Sequence, residues 1–240
     1  MARRTEKVAE SVARQILVDI RQQHLGPGAT LPPESAMLER FGIGRGSLRE
    51  GLRILEVNGL VTLKPGPRGG PVVAPHDPAN FGQMMTLHLQ SLGATYRQLL
   101  EARVEYETLL ARKAAEQTGD IAGQIVRAAM PATEKGTSGD PEYASATSGF
   151  HSAVGRASGN PVLALAADSI YSIWTVRVTA ILYPPEDRPL VIEQHEAIAR
   201  AIEKHDARRA EHLMREHMGL YQDYCETRYP ARMDDIVDWK

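Results

Sequence analysis

The spacing of apolar residues predicts three helices and a β-hairpin in the first third of the chain. Apolar positions recur every three or four residues in the helices, and glycine or proline follows or interrupts each segment. The third helix buries Leu48, Leu52 and Leu55 and leaves its arginines on the other side. The predicted segments are 5–25, 34–41, 46–57 and the hairpin strands 60–64 and 71–73 around a glycine-rich turn. This order is that of a winged helix-turn-helix.

The rest of the sequence is helical in pattern, with no strand-like alternation. The predicted helices are 80–92, 95–117, 119–130, 141–157, 161–182, 188–204 and 206–228, with the most loop-like stretch at 131–141. We therefore expect a mainly α fold: a winged helix-turn-helix domain followed by an all-helical bundle of six or seven helices. The expected boundaries are 1–74 for the first domain, 75–79 for a linker, 80–230 for the helical domain and 231–240 for a tail.

Charge and cysteine content narrow the class of protein. Lys and Arg outnumber Asp and Glu by 11 to 7 in residues 1–75, whereas the acidic residues lead by 23 to 17 in residues 76–240. A basic end suits a polyanion such as DNA, although an excess of four charges is by itself ordinary. A single cysteine, Cys225, excludes an intrachain disulfide, and the sequence shows no leader and no membrane-spanning run. We expect a cytoplasmic protein.

Basic and small residues gather on the predicted third helix and the hairpin. An arginine at the start of a recognition helix, and another one turn later, can reach base edges or phosphates from one helix face. Any one of these residues could equally be a solvated surface residue, but their joint arrangement favours DNA contact. The predicted DNA-binding residues are Arg45, Gly46, Ser47, Arg49, Arg53, Lys64, Arg68 and Gly69.

The run LPPESAMLERFGIGRGSLREGLRILEVNGLVTLKPGPRGGPVV resembles the winged helix of GntR-type regulators. The resemblance covers about residues 5–74 and implies that the positions of Arg45, Ser47, Arg49 and the glycines of the hairpin contact the operator. The chain departs from the family pattern at Ser35, where arginine is usual, and at Gly44 and Gly46, where hydroxyl residues are usual. The operator sequence therefore does not follow from the resemblance.

Three histidines lie in apolar stripes of three different predicted helices. His151, His195 and His217 should all face the interior of the helical domain. A single inward histidine is ordinarily a hydrogen-bonded core residue. Three on separate helices favour a shared site, because imidazole is a common ligand of divalent transition metals.

Arg103 is a second polar residue on an apolar stripe, in the predicted helix 95–117. A buried arginine requires an anion. Glu107, one helical turn later, is the structural candidate, and the carboxylate of a bound ligand is the functional one. The pattern leaves both open.

The helical part, over about residues 80–225, resembles the FCD ligand-binding domain of the FadR-like branch of GntR regulators. The matching motifs are R-x-x-x-E at Arg103 and Glu107, F-H at 150–151, A-S-G-N at 157–160 and H-x-x-I-x-x-A-I at 195–202. The resemblance implies an organic-acid effector bound near Arg103, Glu107, Thr147 and Asn160. It also implies a divalent metal, zinc, nickel or manganese, held by His151, His195 and His217.

Thr147 stands where metal-binding members of this branch have an aspartate. A neutral hydroxyl is a poor substitute for a carboxylate, so metal affinity should fall, or water or an effector oxygen should supply the fourth ligand. A metal-free pocket, in which these same polar residues bind the effector by hydrogen bonds, is the alternative.

These observations predict a DNA-binding transcription regulator, not an enzyme, whose operator affinity depends on a small carboxylate. The expected partners are operator DNA, the effector and a second copy of the chain, with no membrane. One competing hypothesis is a three-histidine metallohydrolase, but the sequence offers no HExxH motif and no general base beside the histidines. Another is a DNA-binding architectural protein without an effector, which would leave the inward polar residues unexplained.

Overall fold

Helices dominate the chain, as its periodicity predicts, and the mainly α fold class is confirmed. The computed structural model describes residues 7–66, 69–135, 140–177 and 183–239. The chain divides into two compact units, residues 1–80 and 81–240, which we call unit 1 and unit 2. None of the helices within the described residues is long and apolar enough to cross a membrane.

Unit 1 has the element order of a winged helix-turn-helix. Its elements are α1 (Val8–Gln22), α2 (Glu34–Phe41), α3 (Arg45–Val57), β1 (Val61–Lys64) and β2 (Gly70–Val73). The two strands pair antiparallel, with Val61 opposite Val73 and Lys64 opposite Gly70. Gly42 ends α2 in the left-handed conformation, φ 62°, which glycine adopts without a steric penalty and which gives the sharp turn into α3.

Close packing of α1 against α3 forms the core of unit 1. Ile16, Leu48 and Leu52 are buried in a single apolar cluster. Gly51 lies against α1 so closely that an added Cβ would be 3.0 Å from the carbonyl oxygen of Ala9. The apolar side of α3 is thereby fixed to α1, and its polar side is left at the surface.

The described residues from Pro78 onward are mainly helical. The described residues there form α4 (Pro78–Leu92), α5 (Tyr96–Ala115), α6 (Ile121–Lys135), α7 (Asp140–Ala157), α8 (Pro161–Arg177), α9 (Arg188–Glu203), α10 (Ala207–Arg228) and α11 (Pro230–Asp234). Helix α5 packs against α7, α8, α9 and α10. It begins with a capping box between Thr95 and Gln98, and its buried positions cover most of its circumference. Helix α5 is therefore the central helix of unit 2.

Two segments differ from the sequence prediction. The loop expected at 131–141 is wrong at its start and its end, because α6 continues to Lys135 and α7 begins at Asp140, while residues 136–139 lie outside the described part. Proline inside a helix costs about 3 kcal/mol, but the preceding turns of α6 bury Val126 and Met130 in the core and hold the helix in place. The expected tail forms α11, and Val237 then donates a backbone hydrogen bond of 2.8 Å to Ala94.

Candidate functional site

Helix α3 presents three arginines on the side away from the core of unit 1. Leu48 and Leu52 are buried, whereas Arg45, Arg49 and Arg53 are exposed. This separation follows from the 3.6-residue period, which places positions 45, 49 and 53 one turn apart along a single stripe. The structure thus brings the sequence-predicted arginines together as one basic surface.

The start of α3 leaves backbone N–H groups without a side-chain cap. Gly44 is the N-cap and makes no side-chain hydrogen bond, and exposed Gly46 and half-buried Ser47 occupy the first turn. Uncapped amides at a helix N-terminus favour a phosphate. Farther along, Arg49 lies 3.5 Å from Glu34 and Arg53 lies 2.6 Å from Glu56. Exposed pairs of this kind contribute about 0–1 kcal/mol, so a DNA phosphate can displace the carboxylates.

The hairpin supplies one further basic residue within the described part of the chain. Lys64 is exposed at the end of β1, and Arg68 lies outside the described residues. Gly69 has a structural reason for its identity, because an added Cβ would lie 2.2 Å from the carbonyl oxygen of Lys64. Its N–H donates to Gly66 at 2.9 Å, so the glycine closes the turn.

A buried polar cluster lies inside unit 2 where four helices meet. Helix α5 contributes Arg103 and Glu107, α7 contributes His151, α9 contributes His195 and α10 contributes His217, and all five side chains are buried. Isolated buried polar groups are costly, so a cluster of this size requires mutual partners. The structure therefore brings together the residues that the sequence predicted for metal binding and two of those predicted for the effector.

The three histidines direct ring nitrogens at one another. Nε2 of His217 lies 3.3 Å from Nε2 of His195 and 3.5 Å from Nε2 of His151. One ligand atom from each residue fits within 4.8 Å of the other two. His195 also stacks on the ring of Phe150, with the centroids 3.9 Å apart, which fixes its orientation.

Hydrogen-bond acceptors beside the Nδ1 atoms of His151 and His217 set the tautomers of these two rings. Nδ1 of His151 lies 3.1 Å from a carboxylate oxygen of Glu107, and Nδ1 of His217 lies 2.8 Å from the amide oxygen of Gln194. With the proton on Nδ1 in each case, the Nε2 lone pairs converge. Burial lowers the pKa of His217 to about 3 and that of His195 well below its ordinary value, so both rings are neutral at pH 7. Converging neutral imidazoles fit a divalent transition metal.

Arg103 has a partner within its own helix and aromatic rings around it. Its Nε lies 3.4 Å from Glu107, and its guanidinium carbon lies 4.5 Å and 5.7 Å from the ring centroids of Tyr171 and Tyr221. Burial alone would raise the pKa of Glu107, but the charges of His151 and Arg103 and the His151 hydrogen bond hold that pKa at about 2. Glu107 is therefore ionised. The terminal nitrogens of Arg103 make no hydrogen bond with any residue that the structure describes.

A cavity of about 300 Å³ adjoins this polar cluster. Arg103, Thr147, His151 and His217 line its polar end. Glu107 does not line the cavity but contacts Arg103 and His151 from behind. The effector role expected for Asn160 does not agree with the structure, because Asn160 is not among the lining residues. Its side-chain oxygen instead accepts hydrogen bonds from the first turn of α8, at 3.0 Å and 3.3 Å.

Sequence reasoning missed two features of this site. Gln194, which orients His217, precedes His195 directly and carried no signal, because nothing in the pattern shows which polar residue reaches a histidine on another helix. The other missed feature is the aromatic wall of the cavity, formed by Tyr143, Tyr171, Trp174, Tyr183 and Tyr221. Tyr143 and Tyr221 could have been found from spacing, because each lies four residues from a predicted site residue, Thr147 or His217.

A winged helix-turn-helix joined to a helical unit with a polar, buried cavity defines the class of DNA-binding regulators that respond to a ligand. Residues 8–69 match the bacterial regulatory proteins of the gntR family, and residues 98–220 match the FCD domain. The chain belongs to this family of transcription regulators, and the expected resemblance to the FadR-like branch is confirmed.

Known relatives agree with this class. The HTH-type transcriptional repressor NanR of Escherichia coli K12 is 26% identical over 221 residues, covering 89% of this chain and 82% of the relative. The repressor of the same name from Enterobacter sp. strain 638 is 28% identical over 222 residues, covering 89% and 83%. A solved structure of Streptococcus agalactiae GntR shares the fold, with a TM-score of 0.68 and 22% identity over 90% of this chain and 99% of that chain. The relatives are regulators, which confirms that this protein is not an enzyme.

The buried ion pair makes a stability prediction. We expect Glu107→Ala to lower the free energy of unfolding by about 3–5 kcal/mol, because Arg103 would remain buried without a countercharge. Urea unfolding followed by tryptophan fluorescence measures this, since Trp174 and Trp239 are the two tryptophans and both lie in unit 2. Glu105→Ala is the control: its side chain is 67% exposed and pairs with Arg215, so the loss should stay below about 1 kcal/mol. Equal losses in the two variants would contradict the prediction.

Proposed function

We propose that a small organic acid binds in the cavity of unit 2 and thereby sets the affinity of unit 1 for operator DNA. The single observation that supports this most is the meeting of Arg103, His151 and His217 at one end of a cavity, with Nε2 of His195 3.3 Å from Nε2 of His217. The terminal nitrogens of Arg103 have the geometry to bind a carboxylate with two parallel hydrogen bonds. Thr147 also lines the cavity, and its hydroxyl would donate a hydrogen bond to the same group.

The charges of the cluster support a metal in the same site. Arg103 and Glu107 cancel each other's charge, and His195 and His217 are neutral because burial lowers their pKa values. Of the histidines, only His151 is left to balance the negative charge of a carboxylate that enters this buried region alone. A divalent ion held by His151, His195 and His217 would supply positive charge for that carboxylate. Thr147 contributes no charge, so the acid and the metal should bind more tightly together than separately. The metal-free pocket remains the alternative.

The experiment is a thermal-shift and calorimetric screen of small carboxylates on protein purified without a histidine tag, with and without Zn²⁺, Ni²⁺ or Mn²⁺. We expect stoichiometric metal by elemental analysis, a rise in melting temperature with an acid, and a larger rise when metal is present. Operator affinity measured on the same samples should change by about 5–150-fold, the usual range of allosteric coupling. Without metal content or a metal-dependent shift, the metal part fails and the metal-free pocket stands.

A substitution at Thr147 tests the metal part of the proposed function more directly. Thr147→Asp should raise metal affinity in the absence of acid by at least about tenfold, because it adds a negative charge and an oxygen ligand beside three histidines. Adding acid should then raise metal affinity less than it does in the wild type, because the aspartate already balances part of the metal's charge. Thr147→Val keeps the shape without the oxygen and is the control, with no gain in metal affinity. A Thr147→Asp protein that binds metal no better than wild type would contradict this arrangement.

We propose that Arg45, Arg49 and Arg53, with Ser47, Gly46 and the hairpin residues Lys64, Arg68 and Gly69, form the DNA-contacting surface. The exposed stripe of arginines and the uncapped start of α3 support this. Because the operator lies in bacterial DNA, the protein would act in the cytoplasm.

Arg49→Ala tests the DNA surface. We expect at least about tenfold weaker binding to duplexes selected by the wild-type protein from a random pool, since one arginine–guanine contact is worth about 1–3 kcal/mol. Affinity for an unrelated duplex should fall much less, and circular dichroism should show an unchanged fold. Arg21→Ala is the control, because it removes the same charge from an exposed position of α1. It should leave unchanged the ratio between the affinity for the selected duplexes and the affinity for the unrelated duplex. An unchanged mobility-shift titration with Arg49→Ala would refute the assignment.

We also propose a homodimer, because two recognition helices match a palindromic operator. Helix α4 supports it: Phe81, Met84 and Leu87 are spaced by three residues and are 39–46% exposed, which leaves apolar area at the surface.

Sedimentation should give the mass of two chains at micromolar concentration. Leu87→Glu should shift the mass towards one chain, whereas Gln83→Glu, at an exposed polar position of the same helix, should not. A single-chain mass for the wild type would overturn the proposal.

A further inference from the structure

We propose that the cavity of unit 2 selects a carboxylate with a small, flat, unsaturated body, a single aromatic ring being the best fit, over a hydroxyl-rich acid. This inference rests on the proposed function, because it takes the acid as given and concerns the rest of the molecule. It derives from the aromatic residues that line the cavity beside Arg103.

The wall is aromatic and apolar. Five rings face the cavity, those of Tyr143, Tyr171, Trp174, Tyr183 and Tyr221. Aliphatic side chains such as Val191 and Met218 also line the cavity, as do the polar residues Asp140 and Thr175. The volume of about 300 Å³ lies at the lower end of the range for small-molecule sites, which suits one ring and a short acid group.

The position of Arg103 determines where the body of the acid lies. Its guanidinium carbon is 4.5 Å from the centroid of Tyr171 and 5.7 Å from that of Tyr221. A carboxylate paired with Arg103 therefore places the atoms attached to it beside these two rings. Aromatic groups pack on rings in offset or edge-to-face geometry, as Trp174 and Tyr221 do here at 6.1 Å and 73°.

Several polar atoms of the wall already have hydrogen-bond partners within the protein. Nε1 of Trp174 donates to the hydroxyl of Tyr221 at 2.9 Å, and the hydroxyl of Thr175 donates to the backbone oxygen of Tyr171 at 3.1 Å. A sugar acid would bury several hydroxyls against the faces of these rings, where they lose water and gain few hydrogen bonds, whereas a ring would bury only apolar surface.

The test uses Trp174 as the reporter in full-length protein carrying Trp239→Phe, which leaves one tryptophan, inside the cavity. Benzoate and phenylacetate are compared with cyclohexanecarboxylate, which matches their size without being flat, with hexanoate, and with gluconate. Each acid is titrated by fluorescence and by calorimetry, with and without Zn²⁺ or Mn²⁺. We expect phenylacetate or benzoate to bind at least about tenfold more tightly than gluconate and several-fold more tightly than the two other apolar acids.

Tyr183→Leu removes one ring of the wall and should weaken aromatic-acid binding about tenfold. Tyr229→Leu removes a ring outside the cavity and is the matched control, and it should leave the affinity for aromatic acids unchanged. Because a substitution in the wall can disturb the fold, the melting temperature of each variant is measured as well. The order in which the Trp239→Phe protein binds the five acids tests the selectivity without any substitution in the wall.

The outcomes separate this inference from the proposed function. If gluconate binds and changes operator affinity while the aromatic acids do not bind, the carboxylate-responsive regulator stands and the aromatic selectivity is wrong. Equal binding of hexanoate and benzoate also refutes the preference for a flat body. If none of the acids binds with or without metal, the proposed function itself fails.

Discussion

Burial of the Arg103–Glu107 pair in the central helix of unit 2 is the constraint on which the candidate site depends. A charged pair out of water is costly unless its polar atoms find partners, and Glu107 lies 3.4 Å from Arg103 with one oxygen and 3.1 Å from His151 with the other. That second contact also orients the ring of His151. One carboxylate therefore connects the arginine to the histidine cluster, and the terminal nitrogens of Arg103 remain for a ligand at the cavity.

The same arrangement explains why acid and metal are coupled in the proposed function. The partners of the histidines lie behind the rings, Glu107 for His151 and Gln194 for His217, so the Nε2 atoms converge instead of pairing with acceptors. The site has no carboxylate at position 147 to balance a metal charge. A bound acid would provide that balance, which makes the effector part of the metal's surroundings and not only a neighbour of it.

The two units use arginine in opposite ways. In unit 1 the arginines of α3 are exposed, and Arg49 and Arg53 have weak carboxylate contacts that a phosphate can replace, which suits the DNA-contacting role proposed for them. In unit 2 Arg103 is 4% exposed and lies beside two tyrosine rings, an environment that suits the selective binding of an anion in the proposed function. The match to the gntR and FCD families covers both units, but identities of 26–28% to NanR repressors leave the effector to be decided by the cavity of this chain.

The sequence by itself determined the helices, the hairpin and the inward direction of the key side chains, because these follow from local periodicity and from glycine and proline. The bounds of α2 agree with the predicted 34–41, and those of α3 differ from 46–57 by one residue. It also identified three histidines and Arg103 as buried polar groups. Only the tertiary structure decided which of them meet, that Asn160 caps a helix instead of lining the cavity, that Gln194 orients His217, and that α6 continues through Pro131. These outcomes depend on contacts between helices far apart in the chain, and no local pattern encodes the distance between them.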